Sequence, residues 1–300
     1  MSGTRTIYKH GKLLITAEYA VLDGALSLAL PTKLGQRFEF SPNAKPEINW
    51  QSVDHKGQVW FEDRFNLKGF SSTHTDETAQ RLSQLFTTIN HLNPKAFTHG
   101  WTIKATLEFD RNWGLGSSST LISALADFFA IDPYALLAQS FGGSGYDIAC
   151  GDAEGPILYR NDSTGPNVKT VHFSPSFSDE LHLVYLNQKM NSREAIKHYN
   201  AQPKTPELIA QVSTLTQELV TADSLEAFEA VVDTHERLIG QQLGMQPIGQ
   251  TLFEGLPGVF SSLGAWGGDF ALFSRKKNIP SLKEKGYSTI LSLAELCLLS

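Results

Sequence analysis

Between Thr102 and Asp110 apolar and polar residues alternate. Ile103, Ala105, Leu107 and Phe109 fall on one side, and Thr102, Lys104, Thr106 and Glu108 on the other. That period of two predicts a strand with one buried face. After Trp113-Gly114-Leu115-Gly116-Ser117-Ser118-Ser119 the period changes, because Leu121, Ile122, Leu125, Phe128 and Phe129 recur at helical spacing. The segment therefore reads as strand, glycine-serine loop and helix N-terminus. The same periodicities predict helices over residues 76–92, 206–220 and 225–243. They predict strands over 13–16, 37–40, 156–159, 181–186 and 270–273. Residues 161–178 are rich in Ser, Pro, Asn and Gly without periodicity and mark a boundary region. The mixture reads as α+β, and 300 residues suit one large domain or two moderate ones; dividing the chain at this stretch gives 1–170 and 171–300.

Composition narrows the function classes. The 300 residues are 41% hydrophobic and 19% charged, an ordinary globular balance. Apolar runs such as Ala25 to Leu30 fall far short of the roughly 20 residues a membrane span needs. Met1 to Arg5 leads into no apolar signal core. A cytoplasmic protein with no membrane partner is expected. Lys and Arg total 25 against 31 Asp and Glu, a net charge of −6, which excludes a broadly basic nucleic-acid binder but not a local basic pocket. Cys150 and Cys297 are the only cysteines, and the nine histidines form no His-Glu-x-x-His. No structural metal site or disulfide framework is expected.

Three segments could carry chemistry. Glycines at 114 and 116 let backbone N–H groups approach a ligand, and a helix starting just after adds its positive end, which together suit a phosphate. The serine hydroxyls add phosphate or Mg2+ contacts; the competing reading is a glycine turn with serine helix caps. The loop is neither a Walker A nor a Rossmann sequence. In Gly145-Tyr146-Asp147-Ile148-Ala149-Cys150-Gly151, Asp147 follows a run of glycines. Its carboxylate could take a proton from a hydroxyl or hold a cation, or simply cap a helix. Lys12 and Glu18 bracket a short apolar strand in Gly11-Lys12-Leu13-Leu14-Ile15-Thr16-Ala17-Glu18-Tyr19-Ala20-Val21-Leu22. Both could equally be solvated strand-end charges.

Taken in order with Gly264-Ala265-Trp266-Gly267-Gly268-Asp269, these segments resemble the motifs of the GHMP kinases, the family of galactokinase, homoserine kinase, mevalonate kinase and phosphomevalonate kinase. The resemblance runs from Lys12 to about Phe273. Glu18-Tyr19-Ala20-Val21-Leu22 looks most like the mevalonate and phosphomevalonate branch, and Tyr19 is closer to the phosphomevalonate kinases. Gly-Tyr-Asp-Ile-Ala resembles a bacterial subgroup named for that string.

The resemblance implies an N-terminal domain like the second domain of ribosomal protein S5 and a ferredoxin-like C-terminal domain, with nucleotide and acceptor meeting between them. It implies Asp147 as the catalytic aspartate and Lys12 as the lysine that pairs with it. Gly114, Leu115, Gly116, Ser117, Ser118 and Ser119 match the ATP phosphate loop, with Ser118 on Mg2+. Glu18, Tyr19 and Ser192 fall at the acceptor pocket, with Arg193 a weaker candidate beside Ser192, and Gly264, Gly267 and Gly268 form the third motif. The implied reaction is transfer of the γ-phosphoryl group of ATP to a hydroxyl of mevalonate or a related hydroxy acid, by a monomer or homodimer. Phosphomevalonate is the alternative acceptor, and a non-catalytic ligand- or partner-binding protein of the same fold is the alternative of another class. Three departures stand out. The stretch 132–139 lacks the glutamate that supplies a second Mg2+ carboxylate in mevalonate kinases, Trp266 replaces a usual glycine, and Ser261 stands where many relatives have lysine. Cys150 reads as a buried small hydrophobe, His235 as structural and His10 as solvated.

Overall fold

The computed structural model describes residues 3–188, 192–264 and 266–299, and the side chains of these except at 192–194. The chain forms two compact units, each assembled from separate stretches. The first takes the N-terminal residues up to Gly11, Leu34–Arg111 and Gly116–Asp152, and the second takes Lys12–Lys33, Asn112–Leu115 and Ala153–Ser300. The position expected for the boundary, 170/171, lies inside the second unit.

The first unit is built from most of β1 (Arg5–Leu14), the later part of β2 (Ser27–Asn43), β3 (Glu47–Val53), β4 (Val59–Asn66) and β5 (Gly100–Leu107). Here β5 pairs antiparallel with β2 and parallel with β3, and β3 pairs antiparallel with β4. The alternation read in 102–109 is realised, since Ile103, Ala105 and Leu107 are buried while Thr102 and Lys104 are exposed. Helices α1 (Glu77–Leu92), α2 (Ser117–Phe128), α3 (Pro133–Ala138) and α4 (Tyr146–Gly151) complete the unit. One sheet face, through Phe38, Phe40, Trp50 and Phe65, joins Leu85, Phe86 and Ile89 of α1 and Ile122 and Leu125 of α2 in one core. Asp76 starts α1 by accepting the N–H groups of Thr78 and Ala79. Only glycine fits at Gly35, where a Cβ would lie closer than 3.0 Å to the Lys9 carbonyl and the Tyr8 ring.

In the second unit, β6 (Ile157–Asp162) pairs with Ser27–Ala29 at the start of β2 and with β7 (Gly165–Thr170). The unpatterned stretch 161–178 is thus partly a hairpin. Its β7 residues are almost all exposed and so show no alternation. Then follow β8 (His182–Tyr185), α5 (Ser192–Ala201), α6 (Pro206–Val220), α7 (Leu225–Leu243), α8 (Ile248–Thr251), β9 (Phe260–Leu263), β10 (Phe270–Phe273), α9 (Ile279–Glu284), β11 (Ile290–Ser292) and α10 (Leu293–Leu296). Strands β8 to β11 form an antiparallel sheet in the order β11-β8-β10-β9. With helices between β8 and β9 and between β10 and β11, this is the split βαβ arrangement of a ferredoxin-like domain, as the resemblance implied. Val184, Phe260, Ala271 and Phe273 pack with Ile248, Phe253 and Leu282 in its core. Caps set the long helices. Thr205 accepts from the Leu208 N–H before Pro206, Ser224 accepts from the Ala227 N–H, and Gly244 ends α7 in the left-handed conformation.

Among the described residues no helix is long and apolar enough to cross a membrane.

Candidate active site

In the first unit Gly116 precedes α2 in the left-handed conformation, with φ of 90° and no side-chain cap on the helix. The serines therefore do not act as N-caps. Ser119 is buried and its hydroxyl donates to the Gly116 carbonyl at 2.8 Å, whereas Ser118 is exposed on the first turn. An uncapped first turn beside an exposed hydroxyl is chemically suited to an anion. Asp147 sits in the first turn of α4, after Gly145 at φ of 87°, and its Oδ1 accepts the N–H of Ile148 at 3.0 Å. The cap is Gly145 rather than Asp147. Helices α2 and α4 pack together, with Gly151 of α4 facing Ser123 of α2. Tyr134 of α3 lies close enough to feel Asp147. Its phenol is pushed up to about 12, chiefly by burial and then by the charges of Asp132 and Asp147. Cys150 is fully buried, as expected of a small hydrophobe.

The second unit gathers the first motif, Gly114-Leu115 and the third glycine motif. The backbone N–H of Lys12 donates to the Leu115 carbonyl at 3.0 Å. Gly114 (φ 67°) and Gly264 (φ 78°) both lie against the Asp269 carboxylate, and a Cβ on Gly114 would come closer to it than 3.0 Å. Asp269 itself holds a positive φ of 55°, fixed by its N–H to the Gln188 carbonyl and by the Leu186 N–H to its own carbonyl. Its place between two of the motifs was not foreseen, although the motif string ends on it. Gly267, with φ of 78°, has open space where a Cβ would go, and Gly268 is buried. Ser192 begins α5, but its side chain and that of Arg193 lie outside the described residues, as does Ala265.

The strand expected over 13–16 ends at Leu14, because the chain then enters a turn in which Ala17 and Tyr19 both take positive φ. Glu18 is not a solvated strand-end charge. It is 2% exposed, its Oε2 lies 3.6 Å from His235 Nε2, and its Oε1 has no hydrogen-bond partner among the described residues. Burial holds its carboxyl well above the usual range. Glu236 pushes the same way and Lys12 opposes. His235 Nε2 accepts the Ala17 N–H at 2.8 Å, so the neutral ring carries its proton on Nδ1. Burial pulls this imidazole down to about 4, which keeps it in that form. Tyr19 Oη accepts the Trp266 N–H at 2.7 Å. Trp266 is 5% exposed and its ring packs over Gly240 of α7, as a core tryptophan. His10 is half-buried, edge-on to Tyr8, rather than fully solvated.

Ser261 donates to Glu236 Oε2 at 2.9 Å. Glu236 also accepts the N–H groups of Ser262 and Ile248. Burial still outweighs these bonds and pushes its carboxyl up to about 7. The sign of the linkage follows. The folded state retains the Glu236 proton that the unfolded chain loses near 4.5, so its contribution to stability is complete below that pH and is lost as pH rises to about 7. A shift of this size corresponds to roughly 3 kcal/mol. Glu236→Gln is expected to gain stability relative to the wild type as pH rises from 4.5 to 7.5, measured by denaturant unfolding at each pH. A pH-independent difference would contradict it.

No family model matches the chain, and no curated protein matches its sequence. Solved structures do match in shape. Streptococcus pneumoniae phosphomevalonate kinase, in complex with phosphomevalonate and AMPPNP, superposes with a TM-score of 0.70 at 16% identity, covering 95% of this chain and 99% of that one. Lactococcus lactis galactokinase complexed with galactose gives 0.67 at 11%, covering 99% and 93%. Methanococcus jannaschii mevalonate kinase gives 0.63 at 15%, covering 97% and 98%. Since three of the kinases for which the GHMP family is named align over nearly their whole lengths, this chain has the GHMP kinase fold.

Proposed function

We propose that the protein is an ATP-dependent small-molecule kinase that transfers the γ-phosphoryl group to a hydroxyl of mevalonate or a related hydroxy acid. The observation that carries this reading is the opening of α2. Its first turn has no side-chain cap, a left-handed glycine precedes it, and the Ser118 hydroxyl is exposed there. That arrangement fits a phosphate group, because the unpaired N–H groups and the helix dipole favour negative charge without a lysine in the loop. The complex of S. pneumoniae phosphomevalonate kinase with AMPPNP supports ATP as the donor.

Phosphoryl transfer asks the protein for positioning and charge compensation more than for covalent chemistry. In this reading residues 114–119 hold the triphosphate by backbone N–H groups, and Asp147 accepts the proton of the attacking hydroxyl or orients that oxygen. Lys12 compensates charge developing in the transfer. Among the described residues no three His, Cys, Asp or Glu side chains cluster as a metal cage. Ser118 would share Mg2+ with phosphate oxygens and water, as is usual for this ion at nucleotides, with Asp147 a further candidate ligand. Mg2+ supplies neutralisation of the phosphate charge when bound.

A second reading, with phosphomevalonate as acceptor, is favoured by Glu18-Tyr19 and by the match to the S. pneumoniae enzyme. A coupled ADP-release assay against mevalonate, phosphomevalonate, homoserine and galactose separates these. Turnover with mevalonate is expected. No turnover with any of the four, together with no heat of AMPPNP binding, would remove the kinase reading. AMPPNP binding without turnover would favour the non-catalytic alternative.

A further inference from the structure

Ala17 (φ 67°) and Tyr19 (φ 62°, ψ −46°) flank Glu18 in a conformation that non-glycine residues rarely take. Such a turn persists only where its surroundings over-determine it, and strained backbone of this kind concentrates at functional sites. Two helices of the same unit supply the constraint. From α7, His235 Nε2 accepts the Ala17 N–H. From α5, the Tyr199 ring stacks on Tyr19, with centroids 5.6 Å apart and planes at 26°. Tyr199 is itself fully buried and pinned, since its hydroxyl donates to Asp23 Oδ2 at 2.7 Å. Lys204 lies 4.8 Å over its ring and 3.7 Å from the same carboxylate. Tyr19 in turn receives the Trp266 N–H of the third glycine motif.

We propose that His235 and Tyr199 are positioning residues that clamp the Ala17–Glu18–Tyr19 turn and so set the geometry of the acceptor site. Neither is assigned a role by the motif resemblance, and the inference rests on the kinase reading of that site. The clamp acts on the acceptor rather than the nucleotide. Its targets, Glu18 and Tyr19, are acceptor-pocket residues in that reading, and Tyr199 stands two helical turns from Ser192 on the same helix, so fixing Tyr199 fixes the register of α5 against the turn. The neutral imidazole suits the role, because a protonated ring would present a second N–H to Ala17 instead of an acceptor.

Four variants of the full chain test this: His235→Leu, His235→Gln, Tyr199→Ala and Tyr199→Phe. Steady-state kinetics use the acceptor from the assay panel that the wild type turns over, and hydrogen exchange is followed on peptides spanning 15–22. His235→Leu and Tyr199→Ala are expected to raise the acceptor KM about tenfold or more, with the ATP KM nearly unchanged and exchange at 15–22 faster. His235→Gln, whose amide oxygen accepts the Ala17 N–H, is expected to rescue most of the loss. Tyr199→Phe keeps the stack, loses only the bond to Asp23 and gives an intermediate rise, and it carries the test if the larger truncations do not fold. Equal rises in both KM values, or a fall in Tm with acceptor KM and local exchange unchanged, overturn the clamp. If the wild type turns over none of the four acceptors, exchange alone decides. Faster exchange in the variants then supports the clamp, and unchanged exchange overturns it.

Discussion

Asp147→Asn is expected to lower kcat with a hydroxyl acceptor by about 10²- to 10⁴-fold, the usual range for removing a positioned general base. The fold should tolerate the change. Asparagine is nearly isosteric, and its amide oxygen can keep the bond that Oδ1 accepts from the Ile148 N–H. One cost at the start of α4 is the loss of a negative charge near a helix N-terminus from a half-buried side chain, about 0.3–1 kcal/mol. Tm should therefore move by no more than about 2 °C, while single-turnover rates collapse. The size of the collapse also separates the two acceptors. A phosphate acceptor is already ionised and needs no base, so Asp147→Asn would then cost far less in kcat. Near wild-type activity on mevalonate would reject Asp147 as the base.

The other large effect is expected at Gly114→Ala. Two costs combine there. A φ of 67° is left-handed, which costs an alanine about 1–2 kcal/mol. The new Cβ also lands inside contact distance of the Asp269 carboxylate, so either that side chain or the loop must move. Asp269 is poorly placed to yield, because its backbone is tied to Gln188 and Leu186. The expected result is a loss of AMPPNP affinity of about tenfold or more, read by calorimetry, with a measurable fall in Tm. Gly267→Ala is the matched control. Its φ is 78° but nothing lies within 4 Å of its Cβ position, so it carries the conformational cost without the collision. If the two variants behave alike, the approach of Asp269 to Gly114 does not matter for binding.

Where one face of an element is buried and the other wet, the sequence was informative. Helices 206–220 and 225–243 and strand 270–273 lie at the residues their periodicity predicts, and each long helix also announces its ends through Thr205-Pro206, Ser224 and Gly244. Where both faces share one environment, periodicity vanishes. The start of β2 is buried on both sides, so only its alternating part, 37–40, was legible in a strand of 17 residues. β7 is exposed at every residue but its first and reads as loop. At the candidate site the glycines and Asp147 were visible because the chemistry needs those residue types. The burial of Glu18 was not, since His235 and Glu236, which surround it, are more than 200 residues away in the chain. Asp269 was hidden because its role depends on the approach of Gly114, a property of the backbone and not of residue type.

The span of those tertiary bonds has a temporal consequence. Ala17 reaches His235 across 218 residues, Thr16 reaches Thr216 across 200, and Tyr19 reaches Trp266 across 247. On a ribosome that adds about 5–20 residues per second, the N-terminal turn is among the first segments made and must wait roughly ten seconds or more for its last partner. Contacts so far apart in the chain also make loop closure slow. The Ala17–Tyr19 turn therefore matures at the end of folding, and a nascent chain arrested before Trp266 has translated its first motif without the means to hold that motif's shape.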